Sequence, residues 1–530
     1  MAARCSTFIT TLLFSTFVYQ ISNSLPVAYQ DDTTNSDPNI SVRDETLTEK
    51  KYNKICVTLQ CMRVSAHIKA AINEEVKPCD DFYDYACGQW MKKNPIPKGK
   101  HKISAITELR DKNNEIMQEA LVSNDSLNNL SPIKKVRTFF QSCLNVEAID
   151  KLGNEPIRKY IKDLNSWAVD KKIGWKSGKW DVFETLKKIQ KEYTSTQLFF
   201  SIESVPDPLS SRNGTARQNI LMIDRAPLDL RPELFFGSPK AVRLLYYYMS
   251  KVTNLTGVDM SYAKKSMKDV IRFEIGLAQL TSGKMGKRYA RVSIKKLEQT
   301  LPQFPWFDHL QSLVAPNKLT RKDPIVVLAT KYLPTLFKLL KKTDKKVLSN
   351  FMVWRMIKSY IPLLSNDFRK LYTRLKGKTE SRAETCYSYT SNRLSNLLGA
   401  LFIRKRFSAK VKTDVEEMMS DIIEAFKDNA QTETWLSGKS RKAVELKLKN
   451  LLSKVGYPDY LWNEKDLTLK YENLDIQPDQ WFQNVVNSHK YLNFMELHNV
   501  GKTIDRKHDW NTASQVANAF YVRTKNEIGR

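Results

Sequence analysis

Apolar residues recur at helical spacing along much of the chain. Between Ala409 and Phe426 they fall at Val411, Val415, Met418, Met419, Ile422 and Phe426, with Lys, Asp and Glu on the opposite face. That repeat marks a helix packed by one face against a core. A second stripe, Val444, Leu448, Leu451, Leu452 and Val455, predicts a helix over 441–455. Gly456 then stands where a left-handed residue ends a helix, and Pro458 blocks continuation. A third helix is predicted over 349–361, stopped by Pro362. The stretch 196–202 mixes apolar and polar residues and is predicted as a strand. Only 17 glycines occur in 530 residues, which argues against a turn-rich all-β fold. The expected class is mainly α, and the length suggests about three domain-sized units.

The N-terminus departs from this pattern. Arg4 precedes a short apolar run from Phe8 to Tyr19, and Ser22 and Ser24 are small residues suited to cleavage. Residues 1–24 therefore read as a signal peptide, the run being shorter than the ~20 apolar residues of a spanning helix. No other segment is long and apolar enough to be transmembrane. Residues 25–54 are polar and are expected to form a flexible lead-in, with folded structure from Cys56 onward. A secreted, extracellular protein is expected. It gives meaning to five N-x-[ST] sequons, at Asn39, Asn124, Asn129, Asn213 and Asn254, as candidate glycosylation sites.

Charge changes the picture in one respect. Lys and Arg number 85 against 57 Asp and Glu, a formal net charge of +28. The basic residues are spread, as in Lys264-Lys265, Lys341-Lys342, Lys345-Lys346 and Arg404-Lys405-Arg406, and no nucleic-acid motif accompanies them. A nucleic-acid partner is therefore not expected. The plain reading is a solvated basic surface, and the sharper one is adhesion to an acidic polysaccharide.

Seven cysteines occur, of which Cys5 leaves with the signal peptide. The six that remain, Cys56, Cys61, Cys79, Cys87, Cys143 and Cys386, suggest disulfides, but spacing alone does not fix the pairs. A helix across Cys79–Cys87 would separate them by about 12 Å at ~1.5 Å per residue. That exceeds the ~7 Å limit for a bridge.

No familiar catalytic constellation stands out. Zinc peptidases of the H-E-x-x-H type need two histidines one helical turn apart with Glu after the first. The six histidines, His67, His101, His309, His489, His498 and His508, include no pair four apart and none followed by Glu. Glu417 and Asp421 form an E-x-x-x-D string, but on an amphipathic helix that spacing is commonplace. His489, Glu496, His498 and His508 are near one another in sequence without a recognised ligand spacing, and are read as surface residues. Gly283-Lys284-Met285-Gly286-Lys287 is too short to cradle phosphate.

Ordered motifs nevertheless point to one family. They include C-x4-C at Cys56 and Cys61, then PCDDFYDYACGQWMKKNPIP from Pro78, then Glu108-Leu109-Arg110-Asp111. Further along come Gln141-Ser142-Cys143, Gly456-Tyr457-Pro458-Asp459, Gly501-Lys502, Asp505-Arg506, Trp510, Asn518-Ala519-Phe520-Tyr521 and Asn526-Glu527-Ile528. From about Cys56 to Ile528 the chain resembles the neprilysin family of zinc metalloendopeptidases. The resemblance implies a large multi-helix cap domain over 112–465, plus a partial α/β catalytic-domain fragment. Residues 55–111 would pack with the catalytic half, and 466–530 would be a truncated start of the peptidase domain. It implies Cys56–Cys61 and Cys143–Cys386 bridges, and leaves Cys79 and Cys87 as orphan thiols, free or bonded to a second chain. It implies an edge strand on which Asn518 and Ala519 hold a peptide, with Lys102 standing where relatives carry an arginine. Lys offers charge there but no bidentate fork. One extra residue before Trp510, and Ala517, put the strand register in question. In relatives the zinc helix follows further along the chain, so no cofactor is expected in these residues. The expected function is that of a non-catalytic binding or decoy protein for a peptide or protein ligand. The alternative is an incomplete sequence of an active secreted zinc metalloendopeptidase; a polyanion-binding role is the weaker third. Apolar surface on 79–111 and 470–530 would then invite a partner chain.

Overall fold

The computed structural model describes residues 56–97, 102–193, 197–208, 218–281, 290–328, 330–377, 380–510, 512–523 and 525–529. The expected signal peptide and lead-in, Asn39, Asn213, His101 and the Gly283–Lys287 run lie outside the described residues.

The fold is mainly helical, with twenty-one α-helices among the described residues. Its centre is the helix Lys345–Lys358, in which every residue from Leu348 to Ile357 is buried. The sequence had placed this helix at 349–361; it ends at Lys358, and Pro362 instead opens a short 3-10 turn, Ile361–Leu363. A helix buried on every side belongs inside a large core rather than on its surface. Ser395–Arg406 behaves similarly, buried from Leu397 to Ile403. Around these two, one continuous apolar core runs from Met117 to Val500 and takes in the helices Ser131–Leu144, Pro239–Leu255, Met260–Thr281 and Trp481–Leu497.

A four-stranded sheet lies against this core in the order β1-β2-β4-β3. Here β1 is Phe200–Pro206, β2 Asn219–Arg225, β3 Ala290–Ser293 and β4 Pro324–Val327. β1 and β2 are antiparallel with Phe200 opposite Arg225, and β2 and β4 are parallel. The strand expected at 196–202 is thus displaced toward the C-terminus, where it can pair along its whole length with β2.

The helix expected over 441–455 is the clearest correction. The helix is Gly438–Lys449, and Leu452–Lys454 is a strand, β5. Gly456 does have positive φ, +70°, but it follows a strand and not a helix. Its constraint is steric as well, since a Cβ there would stand 2.8 Å from the Phe407 ring. The stripe on Ala409–Thr432 is only partly covered: Val415 and Met419 are buried, while Phe426 is 57% exposed. The N-terminal helices Leu59–Ala71 and Phe82–Lys93 pack mainly on each other, and between them bury only Gly88. No helix among the described residues is long and apolar enough to cross a membrane.

One buried ionic cluster ties the core together. Asp229 accepts hydrogen bonds from Trp354 Nε1 and Arg355 Nη1, each at 2.6 Å, and from Lys358 Nζ. Burial alone would raise the Asp229 pKa, but Lys358 and Arg355 outweigh it and hold the carboxyl below its usual range. Glu274, fully buried beside it, accepts the Asp229 backbone N–H at 2.6 Å. Burial, and then the negative charge of Asp229, push Glu274 up to about 8, so it is protonated at neutral pH. An unfolded glutamate loses its proton near 4.5. The folded form thus binds the extra proton between these values, and this group's contribution to stability falls as pH rises through that window. Glu274→Gln, which mimics the protonated form, is expected to remove this dependence. Urea midpoints at pH 6 and pH 8 test it: wild type loses more stability between them than the variant, and equal losses would refute the assignment.

Candidate functional site

The segment that carries the expected peptide-holding motif forms a second, smaller sheet. β6 is Phe520–Val522 and β7 is Glu527–Gly529, and the strand order is β5-β7-β6. β5 and β7 run parallel, with Leu452 opposite Glu527. β6 and β7 are antiparallel, with Phe520 opposite Gly529 and Val522 opposite Glu527. β6 is therefore an edge strand among the described residues, hydrogen-bonded through β7 on one side. Asn518 and Ala519 lead directly into it and are both exposed.

Local chemistry fixes this small sheet. Asn526 turns the chain with φ +50°. Its side chain accepts a hydrogen bond from Tyr521 Oη and donates one to Lys447 O, both at 2.9 Å. Asn is tolerated in the left-handed region because its short polar side chain bonds locally. The Phe520 ring lies against Gly529, where a Cβ would come within 2.3 Å, so any other residue there would force the ring to move. Beneath the sheet, Val455 packs with Val415 and Met419 of the helix Ala409–Thr432, and Ile528 joins from β7. This apolar cluster is separate from the main core.

An ion-pair network lies at the heart of the sheet. Lys454 Nζ is 2.8 Å from Glu527 Oε2, and the two side chains are 4% and 0% exposed. Lys454 Nζ also donates to Asp509 O at 2.5 Å. Arg506 Nε stands 3.6 Å from Glu527 Oε1, while its Nη2 donates to Asn450 O and Asn526 O at 3.1 and 2.9 Å. Lys454 and Arg506 thus join the Asp505–Asp509 loop to both β5 and β7. Lys454 was not singled out from the sequence; the available signal was a lysine lying between Leu452 and Val455 where an apolar residue would fit.

The loop leading to Asn518 is held by Gln515, which is buried and donates from Nε2 to Ser395 O at 3.3 Å. It crosses the helix Ser395–Arg406 at Gly399, where a Cβ would meet Gln515 Oε1 at 3.2 Å and Ser514 N at 3.5 Å. Gly399→Val is expected to push residues 514–515 away and cost about 1–3 kcal/mol, with Gly399→Ala much milder because the Gln515 side chain can shift. Urea melts of the two variants, with proteolysis mapped over 505–519, check this.

The remaining candidates fall out as follows. Lys102 is exposed, just ahead of the helix Ala105–Val122, and makes no hydrogen bond or ion pair with Asn518 or Ala519. Cys56 is bonded to Cys61, and Cys143 to Cys386. Cys79 is a free, exposed thiol in the turn before the helix Phe82–Lys93. Cys87 is a free, half-buried thiol within that helix, and burial raises its pKa. Asn124 and Asn129 are exposed and Asn254 is half-buried.

The histidines are dispersed. His309 bonds Gln190 at 2.7 Å and His508 bonds Asp505 at 2.6 Å. His489, read from the sequence as a surface residue, is buried in the helix Trp481–Leu497. Burial pushes His489 down to about 3 and His309 to about 4, so both are neutral at pH 7. Glu417 and Asp421 are exposed on the helix Ala409–Thr432. Among the described residues no three His, Cys, Asp or Glu side chains come together as a metal site. The described residues therefore offer no ligand set that fits the zinc ion of the family resemblance.

Comparison with known proteins agrees with the motifs. The chain is 29% identical over 497 residues to Neprilysin-3 of Drosophila melanogaster, covering 89% of this chain and 62% of that protein. It is 27% identical over 496 residues to an endothelin-converting enzyme homolog of Locusta migratoria, covering 89% and 67%. It is 25% identical over 493 residues to human endothelin-converting enzyme 1, covering 89% and 62%. The chain thus spans a little under two thirds of the length of most of these relatives. Among solved structures, a Mycobacterium tuberculosis zinc metalloprotease in complex with inhibitor shares the fold at a TM-score of 0.68 and 18% identity, covering 87% of this chain and 68% of that one. A Haemonchus galactose-containing glycoprotein complex does so at 0.64 and 14%, covering 88% and 68%. Peptidase family M13 matches residues 78–458, well over half of the sequence, and the chain belongs to that family.

Proposed function

We propose that the protein is secreted and that these residues bind an extended peptide or protein segment without hydrolysing it. The segment would add as a further strand to the edge of β6, beside Asn518 and Ala519, with Lys102 contributing charge. The observation that carries this reading is the one-sided pairing of β6 next to two exposed motif residues. Edge strands recruit peptides through their unpaired backbone groups. The two disulfides support an oxidising compartment. The test is to incubate the purified chain with zinc and a fluorogenic peptide. Saturable binding without cleavage is expected; cleavage that phosphoramidon blocks would sink the reading.

A second reading is that these residues form part of a longer, active zinc metalloendopeptidase of small peptides. It is favoured by the relatives' greater length. It is also favoured by large apolar side chains left uncovered on β6 and around the helices Ala409–Thr432 and Gly438–Lys449: Trp435 is 77% exposed, Leu446 63%, Phe426 57% and Tyr521 42%. Exposed apolar surface of this kind is suited to a covering partner. Intact mass of the native protein separates the two: a mass matching residues 25–530 plus glycan favours the first, and a much larger one the second.

A further inference from the structure

We propose that Asn124 is an N-glycan acceptor, whereas Asn254, which carries the same sequence motif, is kept bare by the fold. The proposal rests on the secretion reading, since only a chain entering the secretory lumen meets the transferase. In that reaction Asn Nδ2 bonds to C1 of the first sugar and loses a proton. The donor is a lipid-pyrophosphate-linked oligosaccharide, whose pyrophosphate leaves with the bonding electron pair.

The two asparagines differ in what holds them. Asn124 is exposed in the connection between the helices Ala105–Val122 and Ser131–Leu144. Its Oδ1 accepts from Asn128 Nδ2 at 2.7 Å, which leaves its own Nδ2 without a partner among the described residues. Ser126, the hydroxyl residue of the motif, is exposed as well. The connection is rigid because Arg137, whose side chain is 3% exposed, reaches into it. The Arg137 guanidinium donates to Asp125 Oδ1 and Oδ2, each at 3.0 Å, to Ser123 Oγ at 2.9 Å, to Asn128 Oδ1 at 2.5 Å and to Ala120 O at 3.0 Å. Lys405 Nζ adds a 2.7 Å contact to Asp125. A glycan on Asn124 would therefore extend from a fixed, solvated corner and break none of these bonds.

Asn254 lies at the end of the helix Pro239–Leu255 and is half-buried, with its Nδ2 donating to Val258 O at 2.9 Å. Thr256, its hydroxyl residue, is 0% exposed and donates from Oγ1 to Thr253 O at 2.7 Å. The Arg158 guanidinium bonds Thr256 O, and Asn154 Nδ2 bonds Leu255 O at 2.8 Å. A sugar on Asn254 would compete with this closed corner and leave buried polar groups unpaired, which is costly. Chains modified there would fail to close it, so the secreted folded population carries Asn254 unmodified.

The experiment expresses the full chain behind a supplied secretion leader in eukaryotic cells, so that entry into the lumen does not depend on the chain's own N-terminus. Secreted protein is treated with peptide N-glycosidase in 18O water, and each formerly glycosylated Asn is read by mass as 18O-labelled Asp. Label on most copies of Asn124 and none on Asn254 is expected. In an Asn129→Gln background, Ser126→Ala keeps the Asn124 side chain but is expected to abolish its label. Unlabelled Asn124 in secreted wild-type protein, or labelled Asn254, would overturn the proposal. Labelled Asn124 upholds it whether or not the chain's own N-terminus directs secretion, so the two readings fail separately.

Discussion

Replacing Cys143 and Cys386 together by alanine is expected to lower stability by up to about 5 kcal/mol. The bridge joins the helix Ser131–Leu144 to the helix Arg382–Arg393 and closes a loop of 243 residues. In the chain-entropy account, a cross-link stabilises by restricting the unfolded state, and the gain grows with the logarithm of loop length. Both sulfurs sit in side chains with 0% exposure, so removing them also leaves small voids in a close-packed core. The Cys56–Cys61 bridge is the natural control. It closes only five residues at the exposed start of the helix Leu59–Ala71, for which the same relation gives about 2 kcal/mol at most. Urea unfolding of the two double variants, side by side and without reductant, checks the contrast. A Cys143/Cys386 variant no less stable than the Cys56/Cys61 variant would refute it.

What was legible in the sequence follows from whether the deciding contact is local. The stripe on Ala409–Thr432 could be seen because its spacing reports one buried side, and Val415 and Met419 are buried as expected. Its far end misled, since spacing says nothing of how far a covering surface extends, and Phe426 is left exposed. β5 was invisible because Leu451, Leu452 and Val455 continue the helical spacing of Val444 and Leu448. Pairing with β7 overrides that local preference, and a partner more than 70 residues away leaves no trace in a short window. For the same reason Lys454 was not singled out, and His489 was read as a surface histidine. Asn518 and Ala519 came from motif resemblance alone; nothing in their spacing marks an edge strand.

Glu527→Ala is expected to free the small sheet while leaving the helical core folded. The substitution strands Lys454, 4% exposed, with only Asp509 O at 2.5 Å, and removes the partner of Arg506 Nε. Breaking a buried ion pair by deleting one member typically costs about 3–5 kcal/mol, because the remaining charge has lost its compensation. The loss should be local. The sheet packs through Val455 and Ile528 on Val415 and Met419, a cluster separate from the core that runs from Met117 to Val500. Regions with their own small contact set open independently of the global transition. Hydrogen exchange should therefore accelerate at the amides of β6 and β7, with little change in the helices Lys345–Lys358 and Ser395–Arg406. Lys454→Met combined with Glu527→Leu removes both charges and keeps the volume, and is expected to restore much of the protection. Peptide binding should follow the state of the sheet: weakened in the single variant, recovered in the double. Unchanged exchange at β6 in the single variant would show that the ion pair does not hold the strand. Lost binding in a double variant with a protected sheet would show that the charges act on the peptide directly.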